Sequence, residues 1–399
     1  MTRILRTLPC DPQQIADLCR AVEQVLSGEL SVVPVPAGLD RVSVERGVVL
    51  RQALGIGQPI DPAIGLVIPT SGSTGTPKGA QLTAANVQAA VAAQAAWCGG
   101  HSHWLACLPL YHIAGFGIVQ RTVVGGTALE VMDVSDGFDP HRFVTHTQAL
   151  QQRIAGCTNQ RMMVSVVPLQ LAKLLTSVAT IDALREYSAV LVGGGRIDPA
   201  LLETCRKLHI TVVSTYGSSE TTGGVVYNGF ALPGVSLEID DDEQIWVSGP
   251  TVANGWRGVA DAAAFHSRPG WYATGDRGYF DDDGALVVTG RLDNVIDTGG
   301  LKIQPELLEQ QLLTCTGVDA AAIVGLPDAK FGHVLACAYH GDAHPLSLVA
   351  AFEDLPRWQL PKVMVPVDPW PVTGPGKTDR AAITRLLAEE YARVQNQQR

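Results

Sequence analysis

At 399 residues, 46% hydrophobic and 17% charged, the chain carries enough apolar material for more than one folded core, which excludes a disordered class. Lys+Arg 29 against Asp+Glu 39 leaves a formal charge of −10, and no basic run is long enough to follow a nucleic-acid backbone. The eight cysteines are scattered without a C-x-x-C pair, and no uncharged block reads as a leader or bilayer span, so reduced thiols and a soluble cytoplasmic protein are expected.

In chain order, the first 60 residues offer one amphipathic helix, Ile15 to Leu26, followed by Pro- and Val-rich connections. From Gly65 onward apolar runs alternate with helical patterns. A strand (GLVIP) precedes a polar loop, and an alanine-rich helix spans Thr83 to Trp97. A strand at Trp104 to Leu108 then leads to a helix after His112. The alternation continues through strand Met162 to Val167, helix Leu169 to Leu175, strand Ala189 to Val192 and helix Ala200 to His209, and breaks off after Val212. Such alternation predicts an α/β sheet with helices on its faces.

Between Val235 and Arg291, short alternating runs (SLEI, QIWV, ALVV) are separated by Asp- and Gly-rich turns, which predicts antiparallel hairpins. Beyond Arg291 come a hairpin around Gly299 and Gly300, a helix from Pro305 to Leu313, strands near Ala321 to Val324 and Val334 to Tyr339, and a terminal helix from Arg380. The predicted fold class is α/β: a large N-terminal domain of α/β sheets with an antiparallel β subdomain (1–291), then a small α+β C-terminal domain (292–399).

The polar loop, Thr70 to Gly79, reads TSGSTGTPKG. Glycines let successive backbone amides line one concavity, while the hydroxyls and Lys78 add donors, which suits a phosphate cradle. A plain flexible loop has the same composition. The kinase-type pattern G-x-x-x-x-G-K-[ST] is excluded, because Gly79 rather than a hydroxyl follows Lys78.

Four further polar, glycine-rich stretches follow: VGGGRI (192–197), STYGSSETTGG (214–224), YATGDRG (272–278) with GRLDNVIDTGGLKIQPE (290–306), and PVTGPGKTDR (371–380). Together with the opening loop, in this order, they resemble the adenylate-forming superfamily of acyl-CoA synthetases, luciferases and carrier-loading domains. The likeness covers roughly Pro69 to Arg380 and leaves about the first 60 residues unmatched.

The resemblance implies a two-step reaction, in which a carboxylate attacks the α-phosphorus of ATP and a thiol then displaces AMP. It implies ATP, Mg2+ and CoA as cofactor and co-substrates. Residues matching the phosphate loop are Thr70, Ser71, Gly72, Ser73, Thr74, Gly75 and Lys78, and Gly193, Gly194, Gly195 and Tyr216 match those that enclose adenine. Glu220 matches the magnesium carboxylate, and Ser219 stands where the family usually has Thr. Asp276 with Arg291 matches the ribose pair, and Asp293 the pivot of a mobile small domain.

Lys377 matches the lysine that meets the reacting carboxylate and α-phosphate. Gly299 and Gly300, with Lys302 nearby, match a passage for the pantetheine arm. Each of these types also occurs in ordinary turns and on solvated surfaces. His333, in GLPDAKFGHV, departs from the Glu common in relatives and puts any docking role there in doubt.

Three segments, SVVPLQLAKLL (165–175), LVGGGRID (191–198) and YGSSETTGGVVYNGFALPGVSLEI (216–239), are more specifically similar to the o-succinylbenzoate-CoA ligases of menaquinone biosynthesis. That likeness implies an aromatic acid as partner, with His112 lining and gating its pocket or serving as a structural histidine. Ser218 and Thr222 either face the acid or satisfy their own loop. A CoA ligase for another aromatic acid, a carrier-loading enzyme and a non-catalytic nucleotide-binding protein are the alternatives. A homodimer is left open, and neither nucleic acid nor membrane insertion is expected.

Overall fold

The computed structural model describes residues 2–38, 41–70, 77–259, 263–298, 301–328, 332–350, 352, 356, 360–373 and 377–397. Its contacts divide the chain into two compact units. The first comprises Met1–Glu238, Trp246–Thr274 and Phe280–Leu286, and the second Ile239–Ile245, Gly275–Tyr279 and Val287–Arg399.

A seven-stranded sheet dominates the first unit. Its order is Phe230–Ala231, Gly223–Tyr227, Val212–Ser218, Ala189–Val192, Met162–Val166, His103–Ala106 and Leu129–Val131. From Val212–Ser218 to Leu129–Val131 all neighbours are parallel, and the other two strands join antiparallel. Parallel strands covered on both faces need apolar residues at every position, which is why they read as unbroken runs. Leu105, Val164 and Val190 face Phe143 and Leu150 of the helix Pro140–Ile154, while Trp104, Met163 and Leu191 share the opposite core with Phe116 and Val119.

A second sheet has the order Trp256–Arg257, Lys78–Thr83, Ile64–Thr70, Val32–Pro36, Arg6–Cys10. Here Ile64–Thr70 and Lys78–Thr83 pair antiparallel, with Thr70 opposite Lys78. The next element after Ile64–Thr70 is therefore an antiparallel strand and not the helix that would follow a kinase-type P-loop. A four-stranded sheet has the order Ser236–Ile239, Gln244–Ser248, Trp271–Phe280 and Leu286–Arg291, with Trp256–Arg257 of the second sheet falling between its middle strands in the chain.

In the second unit, Ala320–Asp328, Gly332–His340 and Met364–Pro366 form a three-stranded sheet. Leu308 and Leu312 of the helix Pro305–Leu313 cover Ile323, Leu335 and Cys337 on one face. Ile383 and Leu387 of the terminal helix Arg380–Gln397 cover Val324, Val334 and Ala336 on the other. Successive residues thus serve opposite faces, as a strand's period of two requires.

The helix Ile15–Leu26 matches its expectation end to end. Three helices of eight or more residues, however, lie where no helix is expected: Arg41–Ala53, Pro140–Ile154 and Val178–Arg185. Arg41–Ala53 buries Leu50 but leaves Val44, Val48 and Val49 exposed, so its apolar positions do not line up on one inward face. Pro140–Ile154 did carry a signal, since Asp139 caps it by accepting from His141 N–H, Pro140 opens it, and Phe143, Thr147, Leu150 and Ile154 share its buried face. The strand beginning at Val212 also continues to Ser218 rather than ending the pattern.

The tightest backbone approach in the first unit lies at the end of that strand. A Cβ at Gly217 would sit 2.0 Å from the carbonyl oxygen of Gly223, where only hydrogen fits. Gly217→Ala is expected to destabilise the fold by about 2 kcal/mol through overpacking, a loss that urea unfolding of both proteins will measure.

Candidate active site

Polar loops gather at the carboxyl ends of the parallel strands, the usual place for a ligand in such a sheet. After Ala189–Val192 the chain turns through Gly193 to Gly195. A Cβ at Gly193 would lie 2.2 Å from Thr215 Oγ1, and Gly194 has φ +75°. Gly194 and Gly195 are exposed, and Tyr216 is half-buried on the neighbouring strand.

Past Gly217, a single helical turn spans Ser219–Thr221 and places Ser219 and Glu220 in the interior. Glu220 Oε1 accepts a hydrogen bond from Trp256 Nε1 at 3.0 Å, and Glu220 O accepts from Ala253 N–H at 2.8 Å. Its second oxygen carries no hydrogen bond from the described residues. Among the described residues no group of three or more His, Cys, Asp or Glu could hold a metal by itself. A carboxylate oxygen with no protein donor among the described residues nonetheless fits magnesium, which takes one or two carboxylates and completes its shell with phosphate and water.

Lys78 meets the same tryptophan from another side, with Nζ 3.2 Å from the ring centroid. Thr70, opposite Lys78 in the hairpin, donates from Oγ1 to Lys78 O at 3.4 Å. Lys78 and Glu220, 142 positions apart in sequence by their numbers, are therefore joined through Trp256, a residue that sequence reasoning missed. Ser71 to Gly75, named with them, lie outside the described residues.

His112 precedes the helix Ile113–Gly125 and packs against Tyr111, their ring centroids 4.5 Å apart. Ser218 Oγ is buried without a hydrogen-bond partner among the described residues. Thr222 is buried and donates from Oγ1 to Thr251 O at 2.6 Å.

The sequence reading also passed over Arg121, on the same helix as His112's neighbours. Its guanidinium lies 5.3 Å from the Trp104 ring centroid, its Nε is buried without a hydrogen-bond partner, and it forms no ion pair with a described residue. Gly223 lies beside it, where a Cβ would come into ordinary contact with Arg121 Nη2 and Ile113 at 3.9 Å. Burial pushes the nearby Tyr227 phenol up, and the Arg121 charge opposes that shift. The available signal was one arginine inside the otherwise apolar run IAGFGIVQRTVVGG. Burial also pushes the Cys10, Cys107 and Cys337 thiols up to about 12, so none is a thiolate at neutral pH.

In the second unit, Arg291 Nη1 donates to Asp276 Oδ1 at 3.1 Å, while Nε and Nη2 grip both oxygens of Asp293 at 2.9 and 3.0 Å. The hydrogen bonds to Asp293, with the charges of both carboxylates, raise the Arg291 guanidinium further. Gly299 and Gly300 fall outside the described residues, between the paired strands Ile296–Thr298 and Leu301–Ile303, where Lys302 opposes Asp297. His333 is exposed opposite Pro327.

Lys377 pairs with Thr373 in a short ladder whose strand leads into the terminal helix. At the start of that helix, Arg380 makes a bidentate pair with Glu309, at 2.6 and 2.7 Å, and donates to Ile323 O at 3.0 Å. Burial raises the Glu309 carboxyl above its ordinary range, against the lowering influence of Arg380.

A raised folded-state value means that the folded chain holds this proton more tightly than the unfolded chain, so stability falls as pH climbs through it. Arg380→Ala should raise Glu309 further and cost about 3 kcal/mol at neutral pH. The deficit should shrink on acidification, as urea unfolding of wild type and variant at about pH 8 and about pH 5 will read.

Comparison with known proteins adds an independent finding. The profile described as "AMP-binding enzyme" matches residues 20–256, reaching into the segment that motif reading left unmatched. The protein named "Probable 2-succinylbenzoate--CoA ligase" of Mycobacterium tuberculosis is 38% identical over 382 residues, covering 94% of this chain and 96% of that protein. The 2-succinylbenzoate--CoA ligase of Escherichia coli is 32% identical over 334 residues, covering 80% of this chain and 68% of that one. In fold, the chain is similar to o-succinylbenzoate CoA synthetase (MenE) of Bacillus subtilis, solved with the acyl-adenylate intermediate OSB-AMP. The TM-score is 0.74 at 23% identity over 96% of this chain and 88% of that one.

Proposed function

We propose, from the premise that the chain belongs to the AMP-binding enzyme family, that it converts o-succinylbenzoate and CoA to o-succinylbenzoyl-CoA, AMP and pyrophosphate through an acyl-adenylate. The observation that carries the choice of acid is Arg121. A half-buried guanidinium with no carboxylate partner among the described residues, beside Gly223, suits a substrate that keeps a second carboxylate after the first is activated. Burying that charge is costly in the free protein and is offset when an anion arrives.

In this reading Thr70, Lys78 and the loop 71–75 hold the β- and γ-phosphates, and Gly193 to Gly195 with Tyr216 enclose the adenine. Asp276, steadied by Arg291, accepts the ribose hydroxyls. Glu220 would hold magnesium, which supplies charge neutralisation on the phosphates when bound. Lys377 stabilises charge gathering between the acid and the α-phosphate, and His112 bounds the acyl pocket. Asp293 serves as the pivot of a small domain at 292–399, with Gly299 and Gly300 passing the pantetheine arm. ATP and CoA as substrates make the cytoplasm its compartment and a homodimer remains part of the proposal. No helix of the described residues is long and apolar enough to cross a membrane.

Acid-dependent pyrophosphate exchange across a panel of aromatic acids, followed by CoA addition, tests the function. Exchange only with monocarboxylic acids would refute it. Arg121→Gln should raise KM for o-succinylbenzoate about tenfold to a hundredfold while leaving KM for ATP unchanged. Lys377→Ala should abolish adenylation yet leave most thioester formation from supplied acyl-adenylate, because the lysine serves one half-reaction. Equal loss in both assays would refute that division.

A further inference from the structure

Trp256 touches both Lys78, which the proposed function assigns to the phosphates, and Glu220, which it assigns to magnesium, and the inference drawn from it rests on that reading. The ring is held on every side. Its strand pairs with Lys78–Thr83, setting Trp256 opposite Ala80 and Arg257 opposite Gly79. Arg257 fixes the strand by donating to Leu54 O and Pro59 O, and Gln81 Nε2 donates to Trp256 O at 3.3 Å. Phe265 and Tyr272 meet the indole edge-on, at interplanar angles of 84° and 89°, with centroids 5.2 and 6.4 Å away.

An indole braced in this way has two useful features in fixed directions: a π face that attracts cations and one N–H that can only donate. The face carries Lys78 Nζ and the N–H holds Glu220 Oε1. Donation to one carboxylate oxygen fixes the rotation of the whole group and so aims the other oxygen, as outer partners of metal ligands do.

We propose that Trp256 is a positioning residue that aims Glu220 at magnesium through its N–H and seats Lys78 on its ring until a polyphosphate draws the lysine away. A cation on a neutral face is held more weakly than one beside several phosphate charges, so nucleotide arrival reverses the seating without moving the ring. The tryptophan thereby couples the phosphate cation to the metal carboxylate before either meets ligand.

Two variants separate the contacts. Trp256→Phe keeps an aromatic face and removes the N–H, and Lys78→Met removes the cation and keeps the ring. Calorimetry with ATP in magnesium and in EDTA should give Trp256→Phe about a tenfold smaller preference for the magnesium complex than wild type. Its affinity for metal-free ATP should be nearly unchanged.

Tryptophan emission should rise when ATP binds wild type, as the ammonium leaves the ring, and this rise should be absent in both variants. Lys78→Met gives this reading even if Trp256→Phe does not fold. An unchanged magnesium preference in folded Trp256→Phe, or a full emission change in Lys78→Met saturated with ATP, overturns the positioning role while leaving the ligase reading intact. Wild-type protein that binds no MgATP overturns both.

Discussion

The contact between the Gly217 and Gly223 backbones governs the first unit's polar centre. Two strands converge there with no room for a methyl group, so the chain between them makes one helical turn and folds Glu220 inward. That turn brings Glu220 to Trp256, and the strand carrying Trp256 brings Lys78 to the same ring. Steric exclusion between main-chain atoms is stiff, whereas the cation–π and carboxylate contacts built on it are individually modest. Precision in the site thus comes from the backbone, and the polar contacts inherit it.

Charge in this site is arranged around that stiffness. Arg121 keeps a half-buried guanidinium near the Trp104 ring and beside Tyr227, with no ion pair to a described residue, and Lys78 Nζ lies over the Trp256 ring. Aromatic faces solvate a cation without neutralising it, so the positive potential stays available to an incoming anion. A carboxylate partner would stabilise the free protein more and compete with substrate. The second unit follows the opposite rule, pairing Arg291 with Asp276 and Asp293 and Arg380 with Glu309, as suits groups that hold structure in place.

Much of the fold was legible because burial on both faces of a parallel sheet leaves an unmistakable apolar run. Ala189–Val192 and the helices Ile15–Leu26 and Pro305–Leu313 fall where the sequence pattern puts them. Arg41–Ala53 was hard to read because Val44, Val48 and Val49 are exposed, which leaves no clean helical period among its apolar positions. Pro140–Ile154 was legible in principle, through its Asp139-Pro140 start, yet its buried stripe is diluted by His, Thr and Gln.

The site was legible only where residues cluster in sequence. Glycine-rich loops announce themselves by composition, so Thr70, Gly193 and Glu220 stood out, and the family match came from their order. Trp256 and Arg121 sit in segments that read as a hairpin strand and an apolar helix, and their roles exist only once distant strands are paired. A tryptophan that joins a lysine and a glutamate across three separate segments leaves no local pattern. Its value lies in directions fixed by Phe265, Tyr272 and a two-residue strand, and such information is written in the packing.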